Sequence, residues 1–215
     1  MVPAAMTELI AIAAIVLVAW FSAGTIWNIR RGRLLMRWMQ GGLPVLGERT
    51  TVRWLGSSAV EMVIGQGKAP FASVTLIIFL EARDTPWTWG LGRLRGRRDT
   101  LIIRGVLSRV PQYEFEVLDA ASWSGREALP RVRKEWSVRQ PAAAGDLVVH
   151  YDSAAALDCA DALLEKARRA GMAVKRLSMR RAEHHLQLHV PLPDEGQPAR
   201  DFFEAVQTIA KRALD

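Results

Sequence analysis

Hydrophobic and polar positions fall into three blocks along this chain. The stretch from Leu9 to Trp27 is continuously apolar and carries no charge. From there to about residue 120, short runs of β-branched residues alternate with turn signals, and the remainder alternates such runs with amphipathic helical segments. Long apolar runs, period-two runs and 3.6-period runs predict a spanning helix, strands and helices respectively. The pattern predicts an α+β protein divided at residues 1–40, 41–120 and 121–215.

The apolar stretch has the length of a membrane span. At a rise of about 1.5 Å per residue, Leu9–Trp27 covers about 28 Å, close to the thickness of a bilayer's hydrocarbon core. A cleaved signal peptide would carry bases before its apolar stretch. Here the bases follow it, at Arg30, Arg31, Arg33 and Arg37. Because cytoplasmic flanks are enriched in Lys and Arg, we predict a retained transmembrane helix with the N-terminus outside and the C-terminal domain cytoplasmic.

Residues 30–40 continue the helical pattern with large apolar side chains. Gly41, Gly42 and Pro44 then supply a helix stop. Two interpretations are open for this extension. It could lie along the lipid headgroups as a basic amphipathic helix, or its apolar residues could pack on the domain that follows.

The second block predicts a lobe built on an antiparallel sheet. Its strands are expected at Thr50–Leu55, Val60–Ile64, Ser73–Glu81, Thr100–Arg104 and Gln112–Leu118. The run SVTLIIFLE predicts a central strand buried on both faces. In QYEFEVL, apolar residues alternate with Glu114 and Glu116, which predicts that this face of the sheet meets water.

The stretch Arg83–Asp99, hereafter the Trp/Arg segment, combines tryptophans with arginines. Pro86 and three glycines argue against a long regular helix, so we expect a loop. Such a loop could bind lipid headgroups or a partner, or stack on unpaired RNA bases; alternatively, its tryptophans cap the core and its arginines are solvated. The candidate membrane-surface or partner-binding residues are Arg30, Arg31, Arg33, Arg37, Trp87, Trp89, Arg93, Arg95, Arg97 and Arg98.

The third block predicts a βαββα order after a connection at Ser122–Ala144. Strands are expected at Leu147–Tyr151, Ala173–Met179 and His185–Val190, with helices at Ala154–Ala170 and Ala199–Leu214. This order resembles half of a ferredoxin-like fold, which is a superfold and carries no function by itself.

Net charge and cysteine content indicate which partners and which compartment suit the chain. The 215 residues include 29 Lys plus Arg against 22 Asp plus Glu, a formal charge of +7. A basic domain beside a membrane suits anionic headgroups or RNA, although solubility alone is an alternative. With Cys159 as its single cysteine, the chain forms no intrachain disulfide, which fits a reducing compartment.

No catalytic or metal motif is apparent. On a strand, His185 and His189 would lie about 13 Å apart, too far to hold one ion. Dinucleotide-binding, Walker A and nucleophile-elbow patterns do not occur. We therefore predict a non-enzymatic protein with no cofactor, no metal and no evident small-molecule substrate.

Several short patterns resemble the calumin family, the coiled-coil-domain subunit of the endoplasmic-reticulum PAT complex. They are Arg33-Leu34 to Trp38, Arg97-Arg98-Asp99, the strand Tyr113–Val117, the strand Leu186–Val190 with Pro191, and the final helix. The resemblance implies a role in membrane-protein insertion beside a translocon, insertase or ribosome, with RNA contact through the ribosome. The sequence shows no counterpart of the family's acidic lumenal region or charged coiled-coil tail, so ribosome contacts through such a tail are not expected.

Overall fold

A computed structural model describes residues 3–140, 146–193 and 196–214. It shows a long apolar N-terminal helix followed by a sheet with helices, so the predicted α+β class is confirmed. Residues 141–144 of the predicted connection lie outside the described residues, as do the first two and the last residue of the chain.

The element bounds follow the sequence pattern closely. The helices are α1 Ala4–Gln40, α2 Leu43–Leu46, α3 Pro86–Leu94, α4 Trp123–Ala128, α5 Ala154–Arg169 and α6 Ala199–Arg212, with a 3-10 turn at Leu129–Arg131. The strands are β1 Gly47–Trp54, β2 Ala59–Gly67, β3 Phe71–Phe79, β4 Thr100–Leu107, β5 Phe115–Asp119, β6 Ser137–Arg139, β7 Leu147–Tyr151, β8 Arg176–Arg180 and β9 His185–Pro191. Each predicted strand and helix outside the Trp/Arg segment therefore has an observed counterpart.

One antiparallel sheet runs through both predicted lobes. In the described residues its order is β1-β2-β3-β4-β9-β8-β5-β7-β6. Strand β9 pairs with β4 on one edge and with β8 on the other. Strand β5, which precedes the βαββα segment, lies between β7 and β8. The segment predicted as a ferredoxin-like lobe thus has no separate sheet, because all three of its strands bond to strands from the second block.

Helices cover one face of this sheet, here called the helix-covered face. Leu35 of α1, Leu163 of α5 and Phe203 of α6 are fully buried there against strand residues such as Leu188 and Val117. The Ser153 side chain caps α5 by accepting a hydrogen bond from the Ala156 amide at 3.3 Å. Apolar residues at helical spacing on α5 and α6 therefore supply the core, as their pattern predicts.

The opposite face, here called the open face, carries polar side chains, and α4 with its 3-10 turn lies beside it. On β3 the core-facing residues are buried, whereas Thr75, Ile77 and Phe79 are half-buried on the open face. The prediction that β3 is buried on both faces is therefore wrong, because its outer side chains keep part of their surface exposed. The prediction that Glu114 and Glu116 face water is also wrong. Glu116 is fully buried and Glu114 nearly so.

The C-terminal half of α1 belongs to the domain. Leu35 and Met39 are fully buried in the core. The Trp38 indole N–H donates to the Gln197 carbonyl at 2.6 Å, and its ring packs against Phe203. Of the two interpretations of residues 30–40, packing on the domain is the one observed.

Candidate membrane-proximal site

The N-terminal half of α1 is exposed and does not pack in the core of the domain. Every residue from Ala5 to Ala23 is exposed, and this stretch is about 28 Å long. Residues Ala5–Gln40 form a helix that is long and apolar enough to cross a membrane. The predicted spanning helix is confirmed to that extent, and its orientation stays a prediction.

Contact between α1 and the domain begins at Trp20. The Trp20 indole N–H donates to the Arg83 carbonyl at 2.9 Å. One turn further on, the Arg83 backbone occupies the space that a Cβ at Gly24 would need. The buried Asn28 amide donates to the Glu81 carbonyl at 3.0 Å. The stretch of α1 in which every residue is exposed thus ends beside Glu81–Asp84, at the start of the Trp/Arg segment.

The Trp/Arg segment contains a helix, α3, where the sequence predicts a loop. Pro86 occupies a first-turn position, where its missing N–H costs no hydrogen bond. Two glycines lie inside the helix, and tertiary contacts offset their weak helix propensity. One such contact places the Trp89 ring 6.3 Å from the Trp20 ring.

A buried carboxylate at Glu81 joins α3 to the sheet. Glu81 accepts hydrogen bonds from the Trp89 indole at 2.6 Å and from Arg93 at 3.2 Å. Arg83 binds both oxygens of Asp99, at 3.0 and 2.9 Å. Buried charges are retained in proteins when they are paired in this way. Glu81 was missed as a candidate, because one acid at a strand end carries no sequence signal.

The residues of α3 divide into an inner and an outer face. Trp89 and Arg93 face the Glu81 carboxylate. Trp87, Leu91 and Leu94 are 58, 54 and 86% exposed. Their spacing of four and three residues places them on one side of a helix. Leu91 and Leu94 were missed as candidates, because that spacing has meaning only once the segment is known to be helical.

The remaining predicted arginines form no single cluster. The Arg97 guanidinium lies 5.1 Å from the Trp123 ring centre. Arg98 donates to the carbonyls of Arg93 and Arg97, and the Arg95 carbonyl accepts from Arg126. On α1, Arg30, Arg33 and Arg37 are exposed and Arg31 is half-buried.

A second polar cluster lies on the open face around Glu116. Its carboxylate accepts hydrogen bonds from Arg176 at 2.5 Å, from Ser178 at 2.7 Å and from Arg180 at 2.8 Å. The neighbouring Glu114 accepts from the Arg181 amide at 2.9 Å and pairs with Arg133. These partners replace the water that the sequence pattern predicts for this face.

Histidines border the same cluster. Burial, followed by the charges of Arg176 and Arg104, lowers the pKa of His189 to about 3, so its ring is neutral. His185 lies 2.9 Å from the Glu183 carboxylate. Across residues 3–140, 146–193 and 196–214, no group of three or more His, Cys, Asp or Glu side chains could hold a metal ion.

Comparison with known protein families finds no family model that matches the chain, and comparison with curated proteins finds no significant match.

Proposed function

We propose that this is a single-pass membrane-anchored, non-enzymatic protein that holds a basic domain against the anionic cytoplasmic surface of a membrane. The observation that carries the proposal is the position of α3. Its exposed apolar residues Trp87, Leu91 and Leu94 lie on a helix that contacts α1 at Trp20, near the end of the stretch Ala5–Ala23 in which every residue is exposed.

This arrangement suits the boundary between acyl chains and headgroups. An exposed apolar helix face with nearby arginines is typical of helices that lie in the membrane interface. Tryptophan is enriched at that depth, because its ring is apolar and its N–H is polar. Anionic lipids attract basic groups near the surface by about 1 kcal/mol each. Arg95 and Arg98, which are exposed just after α3, supply such groups.

Site-directed spin labelling of the full chain in anionic nanodiscs tests the position of α3. In a Cys159→Ser background, a nitroxide is attached through Leu91→Cys or Leu94→Cys, with Val138→Cys as the control. Val138 is about as exposed as Leu91 but lies on β6, at an edge of the sheet. We expect oxygen to relax the labels at 91 and 94 more than a water-soluble nickel chelate does, and the reverse at 138. Water-like accessibility at all three positions would rule the proposal out.

The partner at the membrane is proposed from the resemblance to the calumin family. That resemblance implies a role in membrane-protein insertion beside an insertase, a translocon or a ribosome. The full chain purified from native membranes in mild detergent should then carry components of one of these machines. Their absence from the purified material, with the chain intact, would contradict this role and leave the lipid-binding role standing.

A further inference from the structure

The open face of the sheet contains a cavity of about 500 Å³. Strands β4, β8 and β9 form its floor, and α4 with the following turn forms one wall. Ligand pockets in proteins usually measure roughly 300–1,000 Å³, so this volume admits a small organic molecule. Among its lining residues, the five cations are Arg104, Arg131, Arg133, Arg176 and Arg180.

Hydrogen-bond donors exceed acceptors in this cavity, because its five guanidiniums face three lining carboxylates. Each carboxylate is already paired: Glu114 with Arg133, Glu127 with Arg131 and Glu183 with His185. A guanidinium has five N–H donors. Arg176 uses its Nε on Glu116, and Arg180 uses one Nη. Arg104 forms no hydrogen bond or ion pair within the described parts of the chain, yet it lines the cavity and lies on β4. The Glu116 carboxylate therefore holds the Arg176 and Arg180 guanidiniums in place. Most of their N–H donors remain available to a ligand.

Other lining residues add a polar group without a partner and an apolar wall. His189 is more than nine-tenths buried, and its Nδ1 has no hydrogen-bond partner within the described residues. Phe79, Ile102 and Trp123 line the cavity as well. Small-molecule sites typically combine such an apolar surface with a few fixed polar groups.

We propose that this cavity binds the phosphate group of a small molecule whose remaining part packs against the apolar wall. Phosphate offers several acceptor oxygens and more than one negative charge, which matches an excess of guanidinium donors. Arg104 is the specific anion-binding residue, because it has no competing carboxylate. None of the cavity's lining residues belongs to α1 or α3, so the proposal does not rest on the proposed function.

Isothermal titration calorimetry on the full chain in zwitterionic nanodiscs tests the site, with inorganic pyrophosphate and ATP as probes. The variant is Arg104→Gln, because the Arg104 side chain is exposed and has no hydrogen-bond or ion-pair partner in the described residues. The matched control is Arg109→Gln, which removes an equal charge from the exposed end of the β4–β5 connection, outside the cavity. Circular dichroism checks that both variants are folded.

We expect saturable binding that weakens at least about tenfold in Arg104→Gln and stays unchanged in Arg109→Gln, the usual effect of removing a charge-assisted hydrogen bond. Glycerol 3-phosphate then identifies the source of the phosphate: competition by this headgroup fragment favours a lipid, and indifference to it favours a soluble compound. No saturable binding of either probe, or an equal loss in both variants, would overturn the proposal.

Discussion

At the scale of single residues, Glu116 shows why burial and polarity must be considered together. Its position on an alternating strand predicts a water-facing carboxylate, but three side-chain donors replace the water. Those donors lie about sixty residues further along the chain, on β8. No local pattern can reveal them, so this part of the structure was beyond reach from the sequence.

Removing the Glu116 carboxylate should destabilise the protein strongly. In Glu116→Ala, Arg176 and Arg180 would remain largely buried without their acceptor, and breaking a buried pair typically costs about 3–5 kcal/mol. Thermal unfolding in detergent measures the change. Glu61→Ala is the matched control, because its pair with the exposed Arg53 should contribute less than about 1 kcal/mol. Similar losses in the two variants would show that the Glu116 network adds little.

The buried His189 predicts a pH dependence of stability. Its folded pKa of about 3 lies below the unfolded value, so the unfolded chain binds more protons at acidic pH. Stability from this group is therefore complete above about pH 6.5 and decreases as pH falls toward the folded pKa. Between pH 7 and 5 the wild type should lose about 2 kcal/mol more than His189→Gln does, as measured by chemical denaturation. Parallel pH profiles for the two proteins would contradict this expectation.

At the scale of elements, helices and strands were predictable where one period dominates. The α6 stripe containing Phe203, Val206 and Ile209 faces the core, as its spacing predicts. The Trp/Arg segment was not predictable, because Pro and Gly signal a loop locally while contacts with Trp20 and Glu81 favour a helix. Tertiary contacts can override weak propensities of this size.

The close contact between α1 and the Trp/Arg segment should be sensitive to volume at Gly24. In Gly24→Val, the new side chain would meet the Arg83 backbone, and overpacking of this kind typically costs about 1–3 kcal/mol. Amide hydrogen exchange over residues 81–94 should increase. Ala23→Val, at an exposed neighbouring position of the same helix, is the control and should leave that exchange unchanged.

At the scale of the whole molecule, one sheet unites segments that look like separate lobes in the sequence. Pairing of β4 with β9 joins residues that lie 79 to 91 positions apart. Strand order of this kind depends on long-range partners, whereas period and composition report only on local structure. The α+β class was therefore within reach of sequence reasoning, and the topology was not.

Two truncations test which part of α1 contributes to folding: the exposed N-terminal half, or the C-terminal half that packs in the core. A chain that begins at Gly24 retains Leu35 and Met39 and should unfold cooperatively. A chain that begins at Gly41 lacks both buried side chains, each worth about 2–5 kcal/mol, and should lose its tertiary structure. Near-ultraviolet circular dichroism and thermal unfolding compare the two. Equal cooperativity would show that α1 is dispensable for folding.

The unbroken course of α1 has a mechanical consequence. Its 37 residues form one helix about 55 Å long, fixed to the domain at Trp20, Asn28 and Trp38. No flexible linker separates the two. If the exposed half crosses a bilayer, any tilt that a thinner membrane imposes on it rotates the whole sheet by the same angle. The inclination of the domain would then report the thickness of the lipid around it.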